Sequence, residues 1–194
     1  AQALEDLAAF RAIPGMTVIS PADPMEMALA TRAILEFAGP VYMRTGRSPS
    51  ARVYGNDHTF EIGKGDVVRD GSDVTIVACG VEVARALDAA QRLAEENISA
   101  RVVNMATIKP IDVALLARCA AETGAIVTAE DHNIYGGLGG AVAEALAATQ
   151  PCPIEFVGVR DVFGASGEPD ELADHFQISA PFIADAARRV IARK

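Results

Sequence analysis

The sequence contains no tryptophan, and aromatic residues of all kinds make up only 5% of it. Its interior must therefore be filled by aliphatic side chains and alanine, not by large rings. Cysteine is nearly as scarce. Cys79, Cys119 and Cys152 are too few and too scattered for a disulfide framework or a zinc site. Cys79 and Cys119 fall in apolar runs and read as buried free thiols, which fits a reducing cytoplasm. No apolar run approaches the roughly 20 residues needed to cross a bilayer, so a membrane partner is not expected. The opening AQALEDLAAFRAIPG reads as an acidic amphipathic helix, not as a basic segment followed by an apolar one. Positive charge is also in deficit, with 17 Lys and Arg against 26 Asp and Glu and a net charge of −9. That balance argues against nucleic acid, whose phosphates require a basic surface. It leaves room for a small anionic substrate, because a few arginines in a cleft override the global sign locally. The three histidines, His58, His132 and His175, are too dispersed to resemble a metal-ligand set.

What the sequence does have is apolar patterning. At 194 residues and 51% hydrophobic, it has room for one ordinary domain and a smaller piece. Two units are expected, residues 1–52 and 73–194, joined by a polar linker over 53–72. In the first unit, LEDLAAFRAI has helical spacing and is stopped by Pro14-Gly15. MTVIS is a short strand, and DPMEMALATRAILEFA is the next helix. Asp23 is its N-cap, Pro24 takes the first helical position and Glu26 the third. PVYMR follows as a strand. In the second unit DVTIVAC, ARVVNM, AIVTA and IEFVGV are near-continuous apolar runs, the pattern of parallel strands covered on both faces. Between them lie the helices VEVARALDAAQRLAEE, DVALLARCAAET and GGAVAEALAAT, and APFIADAARRVIARK ends the chain. Strands alternating with helices of this length give a doubly wound α/β domain with a mostly parallel sheet.

Three stretches invite a functional reading. In EDHNIYGGLGGAVAEAL, a strand is expected to end at Ala129 and a helix to start near Gly140, with a glycine-rich loop (Gly136, Gly137, Gly139, Gly140) between. The spacing is not GxGxxG, and the acidic ribose partner about 20 residues on is missing, so tight turning and close packing explain the glycines better than a nucleotide does. His132 beside Glu130 and Asp131 forms a candidate loop site for acid/base chemistry or for a polar contact only. In YMRTGR, Arg44 and Arg47 fall at the carboxyl end of a buried strand. Two guanidiniums three residues apart suit a phosphate, and equally suit a pair of surface contacts.

The stretches ALEDLAAFRAIPGMTVISPADPMEMALATRAIL and GPVYMRTGR resemble the closing third of the pyrimidine-binding domain of transketolases. FEIGKGDVVRDGSDVTIVACG, NMATIKPID, AEDHNIYGGLGGAVAEAL and FGASGEPDEL resemble the transketolase C-terminal domain that follows it. The likeness runs through the whole chain in order and is nearest to the separate C-terminal subunit of split transketolases. It implies a partial pyrimidine-binding α/β domain followed by the doubly wound C-terminal domain. It also implies a thiamine-diphosphate enzyme that moves a two-carbon ketol unit between sugar phosphates, as in the pentose phosphate pathway. By this resemblance Arg47 grips the sugar phosphate, and Arg44 matches a second arginine of the deoxyxylulose-phosphate synthase relatives. A family histidine in a Thr-His-Gln motif falls on Ala1, followed here by Gln2, a candidate substrate contact. The family's cofactor-activating glutamate falls before Ala1. The thiamine diphosphate and its divalent metal (magnesium or calcium) belong to another domain or an N-terminal subunit, in a homodimer or a heterotetramer. The chain is therefore expected to be a piece of a longer enzyme, inactive alone and binding no cofactor itself. A deoxyxylulose-phosphate synthase, a 2-oxo acid dehydrogenase beta chain, or a non-catalytic assembly module are the competing readings.

Overall fold

The computed structural model of the protein describes residues 3–47 and 50–194. The first unit comprises helix α1 (Asp6–Arg11), strand β1 (Thr17–Ile19), helix α2 (Pro24–Glu36) and strand β2 (Val41–Met43). α2 starts as its sequence demands. Asp23 Oδ1 accepts the Glu26 amide at 2.9 Å, and Pro24 fills the first turn, where no amide is needed. Glu26 does not close a capping box. Its Oε2 accepts from Ala22 N at 2.6 Å, and its Oε1 accepts from Asn104 Nδ2 at 2.7 Å. Asn104 also donates to Tyr54 Oη at 2.8 Å, so the buried helix start is tied directly to the second unit.

The second unit runs β3 (Asp66–Arg69), β4 (Val74–Ala78), α3 (Glu82–Glu95), β5 (Ala100–Asn104), β6 (Thr107–Lys109), α4 (Val113–Thr123), β7 (Ile126–Asn133), α5 (Leu138–Ala147), β8 (Ile154–Val159), α6 (Pro169–His175) and α7 (Ala180–Ile191). Five strands form one sheet in the order β3-β5-β4-β7-β8. All its pairs are parallel except β3 with β5. The chain crosses from β4 to β5 in one direction and then back past β4 to β7. Right-handed crossovers therefore place α3 on one face and α4 and α5 on the other, and α7, which follows the last strand, packs beside α3. Ile76, Leu93, Val127 and Ile183 belong to the first layer, and Val77, Leu116, Ile126 and Leu138 to the second, all fully buried. Each such side chain contributes about 1.5–3 kcal/mol of transfer free energy.

Two features depart from the sequence reading. The expected linker over 53–72 carries β3, an edge strand that pairs antiparallel with β5. More important, β6 leaves its own unit. It pairs antiparallel with β1, giving a second sheet in the order β2-β1-β6. The two units thus share a sheet, and Leu7 and Val18 of the first lie in the same apolar cluster as Val77 and Met105 of the second.

Asp23 Oδ2 also accepts the amides of Val53 and Tyr54, each at 2.8 Å. Asp23→Ala leaves three donors without their acceptor and is expected to destabilise the chain by about 2–4 kcal/mol in urea denaturation. A loss below about 0.5 kcal/mol would show that water replaces the carboxylate at no cost.

Candidate functional site

Strand order reverses between β4 and β7, where open α/β sheets bind ligands outside the carboxyl ends of the strands. Here the first unit fills that crevice. Gly80 follows β4 with φ +57°, and its amide donates to Ser20 O at 3.0 Å. Its left-handed φ favours glycine, and a Cβ there would stand 2.8 Å from Ser20 Oγ and displace that hydroxyl.

Opposite, Arg44 leaves the end of β2 and reaches the end of β7. Its Nη1 donates to Asp131 Oδ1 at 2.8 Å and its Nη2 to Asp131 O at 3.0 Å and Ala3 O at 3.1 Å. Its Nε lies 3.3 Å from Asp6 Oδ2, which also accepts from Tyr42 Oη at 2.6 Å. Burial and the neighbouring Asp6 push the Tyr42 phenol up to about 12. The Arg44 side chain is 15% exposed, and each of its three nitrogens meets a protein acceptor. As placed it ties the end of β2 to β7 and to α1. Arg47, three residues further along the same loop, is exposed. The one strand-end pattern thus contains two arginines with opposite fates. The candidate Gln2 lies outside the described residues.

The glycine loop is built for packing. β7 runs past Ala129 to Asn133, and its register against β8 shifts between those two residues. The irregularity turns Glu130 and His132 into the interior. Glu130 accepts from Leu138 N at 2.7 Å and Gly139 N at 2.8 Å, so the start of α5 already holds an anion from its own chain. A Cβ on Gly137 would lie 2.0 Å from Glu130 Oε2. Burial pushes the Glu130 carboxyl up to about 7, against the pull of those two amides. On the outer side Arg11 Nη1 donates to Gly136 O and Gly137 O, which docks α1 on the loop. Arg11 carries no signal in the sequence beyond its place on a helix.

His132 is not on a loop, contrary to expectation, and is fully buried. Its Nδ1 lies 2.6 Å from Asn133 O, and its Nε2 accepts the Ala8 amide in the first turn of α1 at 3.4 Å. Burial lowers its pKa, consistent with a neutral ring donating through Nδ1. Both nitrogens face protein partners in this arrangement. Among the described residues, no group of three or more His, Cys, Asp or Glu is arranged to hold a metal ion.

Arg47 is thus exposed beyond the end of a parallel strand, beside a doubly wound domain whose switch point is occupied by the first unit. That combination defines a composite α/β protein. The chain belongs to the transketolase family. The family described as "Transketolase, C-terminal domain" matches residues 63–183, and "Transketolase, pyrimidine binding domain" matches residues 1–51. The chain is similar to the 6-deoxy-6-sulfo-D-fructose transketolase subunit SqwH of Clostridium sp. (strain MSTE9), 45% identical over 191 residues, 98% of this chain and 59% of that protein. It is similar to one of the subunits of the apulose-4-phosphate transketolase of Phocaeicola vulgatus, 37% identical over 185 residues, 95% of this chain and 59% of that protein. Among solved structures it resembles "Split gene transketolase, inactive beta4 tetramer", with a TM-score of 0.96 and 46% identity, covering 98% of this chain and 63% of that one. The chain therefore spans about three fifths of the length of these relatives.

Glu82, at the start of α3, supplies a further test of the buried charges near the crevice. It is fully buried and its Oε2 has no partner among the described residues, while Oε1 meets Arg85 Nη1. Burial raises its pKa to about 8, with Arg85 opposing and Asp131 adding to the rise. An acid whose folded pKa lies above its unfolded value near 4.5 stabilises the fold at low pH, and that stability is lost as pH rises toward 8. Glu82→Gln is expected to flatten the fall of Tm between pH 6 and 8.5, by the equivalent of about 1–2 kcal/mol. Equal slopes for variant and wild type would sink the buried-acid reading.

Proposed function

We propose that the chain is the C-terminal section of a thiamine-diphosphate transketolase that transfers a two-carbon ketol unit between anionic sugars. In this reading residues 1–52 complete a pyrimidine-binding domain, residues 73–194 form the C-terminal domain, and residues 53–72 connect them while lending β3 to the C-terminal sheet. The observation that carries it is the outward Arg47 at the carboxyl end of β2, in a chain that belongs to this family. A guanidinium in that position suits the bidentate oxygens of a phosphate at the far end of a sugar. The names of two relatives, one a sulfosugar and one a sugar phosphate enzyme, fit a substrate with a terminal oxyanion. Gln2 is retained as a second candidate contact.

The described residues do not fit the cofactor's diphosphate and metal: they offer no metal cluster, and Glu130 fills the start of α5. Thiamine diphosphate, which stabilises the carbanion of the transferred unit, and its divalent metal are on this reading held by an N-terminal section. What this chain does is bind and orient the sugar's anionic end. Partner contact is supported by α2, on which only Glu26 and Ala30 are buried and Leu35 is 82% exposed. The edge of β2 also has no strand beyond it among the described residues. Assembly as a homodimer or heterotetramer follows, and the free thiols support a cytoplasmic location.

In the holoenzyme, Arg47→Ala is expected to raise KM for a phosphorylated acceptor about 10- to 100-fold with a smaller effect on kcat, the equivalent of losing one charged hydrogen-bonded contact. An unchanged KM removes Arg47 from the substrate. Ketose-to-aldose transfer without pyruvate decarboxylation is the expected activity, and the reverse pattern would assign the chain to another thiamine-diphosphate enzyme.

A further inference from the structure

We propose that Asp131 of the C-terminal domain is a positioning residue for substrate binding, acting through Arg44 to fix the loop that presents Arg47. The inference rests on the phosphate reading of Arg47 given above and assigns the C-terminal domain a part in substrate affinity.

The geometry has three parts. First, Arg44 is the last residue of the β2 edge held by the sheet, its amide donating to Ile19 O at 2.8 Å. Only Thr45 and Gly46 separate it from Arg47. Three residues of extended chain reach at most about 10 Å, so whatever fixes Arg44 bounds the position of Arg47 closely. Second, the Arg44 guanidinium is clamped from two sides. Asp131 supplies both its carboxylate, at 2.8 Å, and its own carbonyl, at 3.0 Å, and Asp6 closes on Nε at 3.3 Å. Third, the two carboxylates are themselves held. Asp6 is 7% exposed and takes the Tyr42 hydroxyl, and Tyr42 stacks on Phe10 with ring centroids 3.8 Å apart. Asp131 lies within the bulged stretch of β7, between Glu130, which caps α5, and His132, which accepts from α1.

These contacts form a rigid path from the C-terminal sheet to the arginine loop. A loop held in its bound geometry gives up less freedom when it closes on an anion, and this is how a residue remote from the ligand contributes to affinity. Among the described residues the one ion pair of Asp131 is with Arg44, through Oδ1 at 2.8 Å.

The test compares Asp131→Asn, Arg47→Ala and the double variant in the holoenzyme, with one phosphorylated acceptor and its unphosphorylated analogue. Asp131→Asn keeps the shape and the backbone carbonyl and weakens only the charged clamp. It is expected to raise KM for the phosphorylated acceptor about 3- to 10-fold and to change kcat and the unphosphorylated reaction less than about 2-fold. In the Arg47→Ala background it is expected to have no further effect on KM, because the group it positions is gone. Equal losses with both acceptors, or an unabated effect in that background, would overturn the inference and leave Asp131 a purely structural residue. A silent Asp131→Asn beside a damaging Arg47→Ala would overturn the inference alone, whereas a silent Arg47→Ala removes the phosphate reading and the inference together. Where Asp131→Asn fails to fold by thermal denaturation, Asp6→Asn loosens the same guanidinium from its other side and decides by the same pattern.

Discussion

A guanidinium that has given up its water must find acceptors, and in this chain that requirement organises two units at once. Arg44 sits at the seam with Asp131 on one side, Asp6 on the other, and two backbone carbonyls on its Nη2. Breaking one partner from such a group costs far more than the net worth of the pair, because the remaining charge stays buried. The end of β2, the entry to α1 and the tip of β7 are therefore fixed together. None of these elements is long: β2 has three residues and α1 has six. Their order comes from this junction and from the sheet behind it more than from their own propensities.

The same logic explains why the switch point of the second unit, whose fold is that of many ligand-binding proteins, is occupied by the first unit. That switch point receives Ser20 and Arg44, and the start of α5 receives Glu130. Fold alone does not carry function, and here the places where a doubly wound domain ordinarily binds are used for assembly. Positive charge at this end of the molecule is neutralised internally at Arg44 and left outward at Arg47. The chemistry assigned to the chain depends on that difference.

The periodic parts of the fold are legible in the sequence. β4, β5 and β8 and helices α3, α4, α5 and α7 fall where their apolar runs and helical spacings put them, and the Asp23 cap forms as expected. The pieces that escape such a reading share a physical reason. β6 has three residues, too few for a period, and becomes a strand only because β1 lies beside it. β3 is a partly polar edge in a stretch that reads as connector. α6 does have local signals, Pro169 in its first turn and the Glu168–Glu171 capping box, but at seven residues it is too short to show an apolar period. In the site, Arg44 and Arg47 are the same residue type on one loop. What separates them is an acceptor 87 residues away, which no local pattern reveals. EDH reads as an exposed loop because all three residues are polar, but a strand irregularity turns alternate members of that trio inward.

Because β6 is lent to the neighbouring sheet, the two units have no clean line of division. A protease cut in the exposed part of the connector would nick the backbone without releasing either half, since each would still hold the other through backbone hydrogen bonds and a common apolar cluster. Separating the halves would have to break that strand pairing and open that cluster, which couples the stability of each to the other.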